Sequence, residues 1–270
     1  MNLFAELNEM MVKYRFRPNK KIGQNFIISE DVIQKMIKEA ELTSSDTVVE
    51  IGAGAGFLTK ELLKKCKVTA VELDPILFEL LQKELPQKDL KLIQGDFLKV
   101  DLGEFNKLVA LPPYTISSEI MYRLFELKPE LCVMVFQRAF VERLMSEPGF
   151  MDYNALPVLT QYNFEVEMLY RVPPKSFFPQ PKSDSSMIRL KAVQRFGTAK
   201  NESAFKQFVK SIFRFQNKNM LNAVKNCAQF MGSDFDKELA LEVVKSSEFA
   251  ETKVNLLSCK DFVDVFNKMS

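Results

Sequence analysis

The chain has 270 residues, 47% of them hydrophobic and 27% charged, which suits one large soluble domain or a large domain with a small one. Its 37 basic and 35 acidic residues nearly cancel, so net charge points to no partner and only the distribution of charge is informative. Histidine is absent, which removes Ser-His-Asp and Cys-His nucleophiles and histidine-bound metals, and Cys66, Cys132, Cys227 and Cys259 have no metal-ligand spacing. Cysteines this scattered read as small buried hydrophobes in a reducing, cytoplasmic setting. The N-terminus turns basic only at Lys13, and no apolar run approaches the ~18 residues of a membrane span. Neither a secretory signal nor a membrane anchor is expected.

Along the chain, residues 31–40 place Val32, Met36, Ile37 and Ala40 on one helical face, with Ser29 as cap. A β-branched strand over 47–51 is followed by a glycine loop and a helix over 57–66. A strand over 67–72 precedes a helix that Pro75 opens and that runs to about Glu84. Further strands are expected at 90–94, 107–111 and 131–136, with helices at 118–127 and 138–146. This alternation predicts an α/β fold with a doubly wound, mostly parallel sheet. Two more strands, 163–171 and 185–192, flank a proline-rich loop and suit an antiparallel edge. From about residue 197 the pattern becomes helical, with Phe205, Phe208, Val209, Ile212 and Phe213 at helical spacing. The expected organisation is a larger domain over 1–195 and a small all-helical domain over 196–270.

Three motifs carry chemistry, each directly after an expected strand. The first is Glu50-Ile51-Gly52-Ala53-Gly54-Ala55-Gly56, where glycines permit a sharp turn and close approach of a ligand to the main chain. Its spacing differs from the G-x-G-x-x-G of a dinucleotide fingerprint. Glu72 ends the next strand, at the offset where a carboxylate accepts from ribose hydroxyls. Together they point to a nucleoside-containing cofactor and leave a nicotinamide dinucleotide open. The second is Gly95-Asp96, whose carboxylate can accept the amino group of an adenine. The third is Leu111-Pro112-Pro113-Tyr114, a stiff loop with free proline carbonyls and an aromatic ring suited to stacking on a base.

Taken in order, these segments resemble the KsgA-type rRNA adenine N6,N6-dimethyltransferases and their relatives, the Erm rRNA methyltransferases, over nearly the whole chain. Gly23-Gln24-Asn25-Phe26-Ile27 resembles the family's opening motif, and residues 50–59 its S-adenosyl-L-methionine loop. Residues 153–161, Phe177-Phe178-Pro179-Gln180-Pro181-Lys182-Ser183-Asp184-Ser185 and Phe213-Arg214-Phe215-Gln216-Asn217-Lys218 resemble further family segments. The resemblance implies a Rossmann-like methyltransferase sheet and a cofactor held by Gln24, Asn25, Ile27, Glu50, Gly52, Gly54, Gly56, Glu72, Asp96 and Leu111. It implies a catalytic loop of Leu111, Pro112 and Tyr114, with Phe177 on the other face of a flipped adenine. It further implies a monomer, no metal, and a substrate in small-subunit rRNA or a pre-ribosomal small subunit.

The chain departs from that pattern at Leu111, where the family carries Asn. The Asn amide oxygen and a proline carbonyl would accept the two amine protons; leucine accepts none, while Pro112 keeps its carbonyl. Gln137-Arg138-Ala139 and Asn154-Ala155-Leu156-Pro157 depart nearby. Two readings follow: a working dimethyltransferase, or a catalytically impaired relative that retains cofactor and rRNA binding as an assembly factor. A DNA adenine methyltransferase is a further alternative that the helical C-terminal segment disfavours. Two basic stretches suit phosphate contacts: Lys13, Arg15, Arg17, Lys20 and Lys21, with Tyr14 and Phe16 interleaved, and Lys191, Arg195, Lys200, Lys206, Lys210, Arg214, Lys218 and Lys225.

Overall fold

The structure, a computed structural model, describes residues 2–19, 22–85, 88–193, 195–232 and 235–269. In chain order the elements are α1 (Leu3–Lys13), β1 (Phe26–Ile27), α2 (Glu30–Glu39), β2 (Thr47–Ile51), α3 (Phe57–Leu63), β3 (Lys67–Glu72), α4 (Pro75–Glu84), β4 (Leu90–Gln94) and β5 (Lys107–Ala110). They continue with α5 (Ser117–Leu127), β6 (Leu131–Gln137), α6 (Arg138–Leu144), α7 (Ala155–Asn163), β7 (Phe164–Val172), β8 (Phe177–Phe178) and β9 (Ser185–Ala192). Helices α8 (Glu202–Ile212), α9 (Met220–Cys227), α10 (Lys237–Lys245) and α11 (Cys259–Met269) complete the chain.

Local chemistry explains the element ends. Asn2, Ser29, Asp74, Asn154, Asn201, Asn219 and Asp236 each cap a helix by accepting a backbone N–H in its first turn. Strands β2, β3, β5 and β6 are largely apolar on both faces and almost wholly buried, as parallel strands covered on both sides must be. Seven strands form one sheet in the order β4-β3-β2-β5-β6-β9-β7. The pairs from β4 to β6 are parallel, and β9 runs antiparallel to β6 from Leu131↔Lys191 to Gln137↔Ser185. The chain thus winds outward from β2 to β4 and returns at β5, so the order reverses between β2 and β5. The expected α/β, doubly wound, mostly parallel sheet is present, and so is the helical C-terminal region. All four cysteines are buried free thiols, and burial pushes the Cys66 thiol up to about 11.

The N-terminal ends of β2 and β5 are joined by a partly buried ion pair. The Asp46 carboxylate, just before β2, accepts from Asn106 Nδ2 at 2.7 Å, from Thr43 N–H at 2.7 Å and from Lys107 Nζ at 3.0 Å. Burial opposes ionisation of Asp46, but these hydrogen bonds outweigh it and hold the carboxyl down to about 2.

The chain divides into two compact units. One comprises Met1–Val141 with Val166–Ala192; the other comprises Glu142–Glu165 with Val193–Ser270. This differs from the expected boundary at 195/196, because residues 142–165 pack with the C-terminal helices. The Tyr162 ring lies 4.7 Å from that of Phe205, and its hydroxyl accepts the Ala199 N–H at 3.0 Å. Tyr153 is buried, meets Phe213 edge-on at 5.8 Å, and donates to the Leu257 carbonyl at 2.8 Å.

Candidate active site

Within the first unit, the ends of β2, β3, β4 and β5 open onto one pocket, at the place where the strand order reverses. Its walls include Gly23, Gln24, Asn25 and Phe26, then Ile51, Gly52 and Gly54 after β2. Glu72 and Leu73 follow from β3, Gly95, Asp96 and Phe97 from β4, Leu111 to Tyr114 from β5, and Phe177 from β8. Residues distant in sequence therefore meet because parallel strands all present their C-terminal ends on the same side.

The glycine loop and Glu72 are built as one piece. One Glu72 oxygen accepts the Gly54 N–H at 2.8 Å and the other accepts the Asp74 N–H at 2.9 Å. Burial pushes the Glu72 carboxyl up from its ordinary range, and these N–H donors pull against the rise. Each oxygen keeps acceptor capacity toward the pocket. Gly54 sits at φ +59°, and a Cβ there would come within 3.3 Å of the Phe26 ring. The cradle thus fits a ligand that approaches the main chain and offers hydroxyls to a carboxylate, as the nucleoside of S-adenosyl-L-methionine does.

Asp96 also lines the pocket, with one oxygen accepting the Leu98 N–H at 2.9 Å. Gln24 spans two segments: its Oε1 accepts from Asn19 N–H at 2.8 Å and its Nε2 donates to Asp74 at 3.2 Å. Opposite, Leu111 is half-buried against the core, Pro112 and Pro113 stiffen the turn, and Tyr114 opens a short 3-10 turn. The Tyr114 and Ser185 hydroxyls are 2.7 Å apart. A two-stranded clasp joins the entry segment to the far wall, with Phe26↔Phe178 and Ile27↔Phe177 in antiparallel register.

The structure brings Gln24, Asn25, Gly52, Gly54, Glu72, Asp96, Leu111, Pro112, Tyr114 and Phe177 onto this one pocket. Ile27, Glu50 and Gly56 are not on its wall. Ile27 supports Phe177 from the clasp. Gly56 caps α3 at φ +80°, and a Cβ there would lie 2.9 Å from Leu81, so its bareness serves the packing of α3 against α4. Glu50 is fully buried; its Oε2 and the Thr59 Oγ1 make no hydrogen bond. Burial pushes Glu50 up to about 8, and the charge of Glu72 adds to the rise. The sequence alone assigns no individual site role to Phe26, Leu73, Phe97 or Ser185, although Phe26 and Ser185 stand in family-resembling segments. Leu73 and Phe97 each follow a singled-out acid, so strand-end position was the available signal. Ser185 closes one of the family-resembling segments, but only the tertiary fold brings it to Tyr114.

The basic stretches differ from a free cationic face. Lys13 pairs with Glu84 at 2.6 Å, and the Tyr14 hydroxyl donates to the same carboxylate at 2.6 Å. Phe16 is buried, 5.8 Å from the Phe26 ring, and is not among the residues lining the pocket. Arg15 and Arg17 are exposed; Lys20 and Lys21 lie outside the described residues. In the second stretch Arg195 pairs with Glu165, while Arg214, Lys218 and Lys225 are exposed.

Over residues 15–268 the chain matches the family model described as ribosomal RNA adenine dimethylase. The chain belongs to the ribosomal RNA adenine dimethylase family. A relative named probable ribosomal RNA small subunit methyltransferase A, from Thermococcus gammatolerans, is 37% identical over 261 residues, covering 96% of this chain and 92% of that protein. The crystal structure of a dimethyladenosine transferase from Plasmodium falciparum aligns with a TM-score of 0.76 at 26% identity, over 89% of this chain and 95% of that one. The 23S rRNA methyltransferase ErmE shares the fold, with a TM-score of 0.65 at 24% identity over 91% of this chain and 99% of that one. Membership of the dimethylase family agrees with the motif resemblance, and the Erm neighbour agrees with the expected Rossmann-like methyltransferase fold.

Proposed function

We propose that this protein dimethylates the N6 amines of adenosines in small-subunit ribosomal RNA, using S-adenosyl-L-methionine, during ribosome biogenesis. The observation that carries this reading is the joining of Glu72, Asp96, the Leu111–Tyr114 loop and Phe177 on one pocket, in a member of the dimethylase family. Glu72 would accept the ribose hydroxyls, Asp96 the adenine amine, and residues 24 and 25 would close the pocket over the cofactor. When bound, S-adenosyl-L-methionine supplies a methyl group already activated on a sulfonium. The residues of the chain then need only bind, orient and exclude water.

The target base lies between Tyr114 and Phe177 in this reading, flipped out of its RNA. The Pro112 carbonyl would accept a hydrogen bond from one amine N–H, favouring a lone pair localised on N6 and aimed at the methyl group. The N6–C bond would form as the C–S bond breaks, with its electron pair left on sulfur and the surplus amine proton passed to solvent. A second round yields the dimethylamine. Arg214, Lys218 and Lys225 would contact rRNA phosphates, with a pre-ribosomal small subunit as partner and the protein acting as a monomer in the cytoplasm. No helix among the described residues is long and apolar enough to cross a membrane.

Leu111 gives the alternative its footing, since an oriented acceptor in such a site is worth roughly 3 kcal/mol, about a hundredfold in rate. The deciding measurement is transfer of labelled methyl groups to unmethylated small subunits, with the natural chain beside Leu111→Asn. The natural chain is expected to incorporate label, and Leu111→Asn to raise kcat by about ten- to a hundredfold. Label with Leu111→Asn alone would move the function to binding, and no label with either, cofactor binding intact, would overturn the proposed reaction.

A further inference from the structure

Tyr114 is held by a residue that is not on the pocket wall. Its hydroxyl lies 2.7 Å from Ser185 Oγ, and Ser185 is completely buried. Ser185 opens β9, in register with Gln137 of β6. The residue before it is anchored twice. The Asp184 carbonyl accepts the Arg138 N–H at 3.0 Å, and its carboxylate is gripped by Arg171 Nε and Nη2 at 3.0 and 2.6 Å. Ser185 is therefore a fixed point set by the β6–β9 ladder. Tyr114, in contrast, begins a short 3-10 turn after two prolines, where no strand partner holds it.

The hydroxyl lies on the long axis of the Tyr114 ring. Bonding it fixes where the ring tip sits in the pocket. Phe177, 2% exposed, lines the same pocket and opens the connection that Ser185 closes. Phe177 is itself clamped opposite Ile27. The two ends of one connection thus set both aromatic faces, Phe177 directly and Tyr114 through Ser185.

We propose that Ser185 is a positioning residue for methyl transfer, fixing the Tyr114 ring so that the slot between Tyr114 and Phe177 matches the thickness and angle of the target adenine. The proposal rests on the reading of those two rings as the faces that hold the base. Burial pushes the Tyr114 hydroxyl up to about 12, so it stays protonated and able to donate across the working pH range. Misplacing a reacting group by about 1 Å can cost on the order of a hundredfold in rate, so the loss of one tether can appear in kcat without loss of binding.

The test is a double-mutant cycle between Ser185→Ala and Tyr114→Phe, read as methyl transfer to unmethylated small subunits. Each single variant is expected to lower kcat about tenfold and the double variant no further, with KM for the subunit and Kd for S-adenosyl-L-methionine within about twofold of the natural chain. An unchanged kcat in Ser185→Ala overturns the proposal. So do losses that multiply in the double variant, because Ser185 would then act on something other than the Tyr114 hydroxyl. Weaker cofactor binding and a lower Tm in Ser185→Ala, but not in Tyr114→Phe, would make Ser185 merely structural. Stacking is read separately from quenching of 2-aminopurine riboside fluorescence. Quenching by the natural chain and less by Ser185→Ala, with no methyl transfer by either, would sink the proposed reaction and leave the positioning role standing.

Discussion

Glu72 and Glu50 are both buried carboxyls, and their partners separate their roles. Both Glu72 oxygens accept backbone N–H bonds, and the residue faces the pocket. Glu72→Ala removes charge-assisted acceptors worth roughly 1.5–3 kcal/mol each. The Kd for S-adenosyl-L-methionine, measured by calorimetry, is expected to rise by about ten- to a hundredfold; an unchanged Kd would remove Glu72 from the cofactor site. Glu50 is buried and is not on the pocket wall, and its folded pKa of about 8 lies above the ordinary 4.5. The folded chain therefore binds a proton that the unfolded chain has released, and stability falls as pH rises from about 4.5 to about 8, then levels. In Glu50→Gln that component vanishes, flattening the dependence by an amount on the order of a few kcal/mol. Urea unfolding at pH 5 to 8.5 checks this, and parallel curves for the two proteins would show that Glu50 does not titrate in that window.

Most elements with their own periodicity were legible, but α1 and α7 were not anticipated despite their Asn2 and Asn154 caps, nor were elements defined only by their partners. β2, β3, α4, β4 and β9 stand where β-branched runs, the Pro75 start and strand spacing placed them. β1 and β8 are two residues each, too short for any period, and exist only as each other's partners. α7 escaped because Ala155 to Thr160 and Tyr162 are all buried, so no polar face betrays a helical repeat. In the site, the acids after β3 and β4 were legible from their strand-end positions, whereas the support of Tyr114 by Ser185 spans 71 positions in sequence. One long-range tie at the element scale is open to test. Asp46 joins the start of β2 to Asn106 and Lys107 at the start of β5; Asp46 is buried and Lys107 half-buried. Asp46→Asn leaves the Lys107 ammonium without its counter-charge and is expected to lower unfolding free energy by about 3 kcal/mol at pH 7. In the natural chain the carboxyl drops from 3.8 to about 2 on folding. Its stabilisation is thus complete above about pH 4 and is lost as pH falls toward 2, a loss the variant should not share. Equal acid sensitivity in both proteins would count against the tie.

The division of the whole molecule follows burial rather than the change in sequence texture near residue 197. Residues 142–165 belong with the C-terminal helices because their large side chains end there. Tyr162 packs on Phe205, Tyr153 bonds to Leu257 and meets Phe213, and Gly149 N–H donates to the Asn255 carbonyl at 2.8 Å. A chain ended after Ala192 would keep all of the pocket residues but strip this cover from Tyr153 and Tyr162. Each large apolar side chain so exposed forfeits roughly 1.5–3 kcal/mol, and several together approach the net stability of a domain. The shortened chain is expected to bind a hydrophobic dye, elute as aggregates in size-exclusion chromatography and melt well below the full protein. A monodisperse product with the full protein's Tm would show that residues 142–165 fold without the C-terminal helices and that the boundary at 195/196 describes the folding units better.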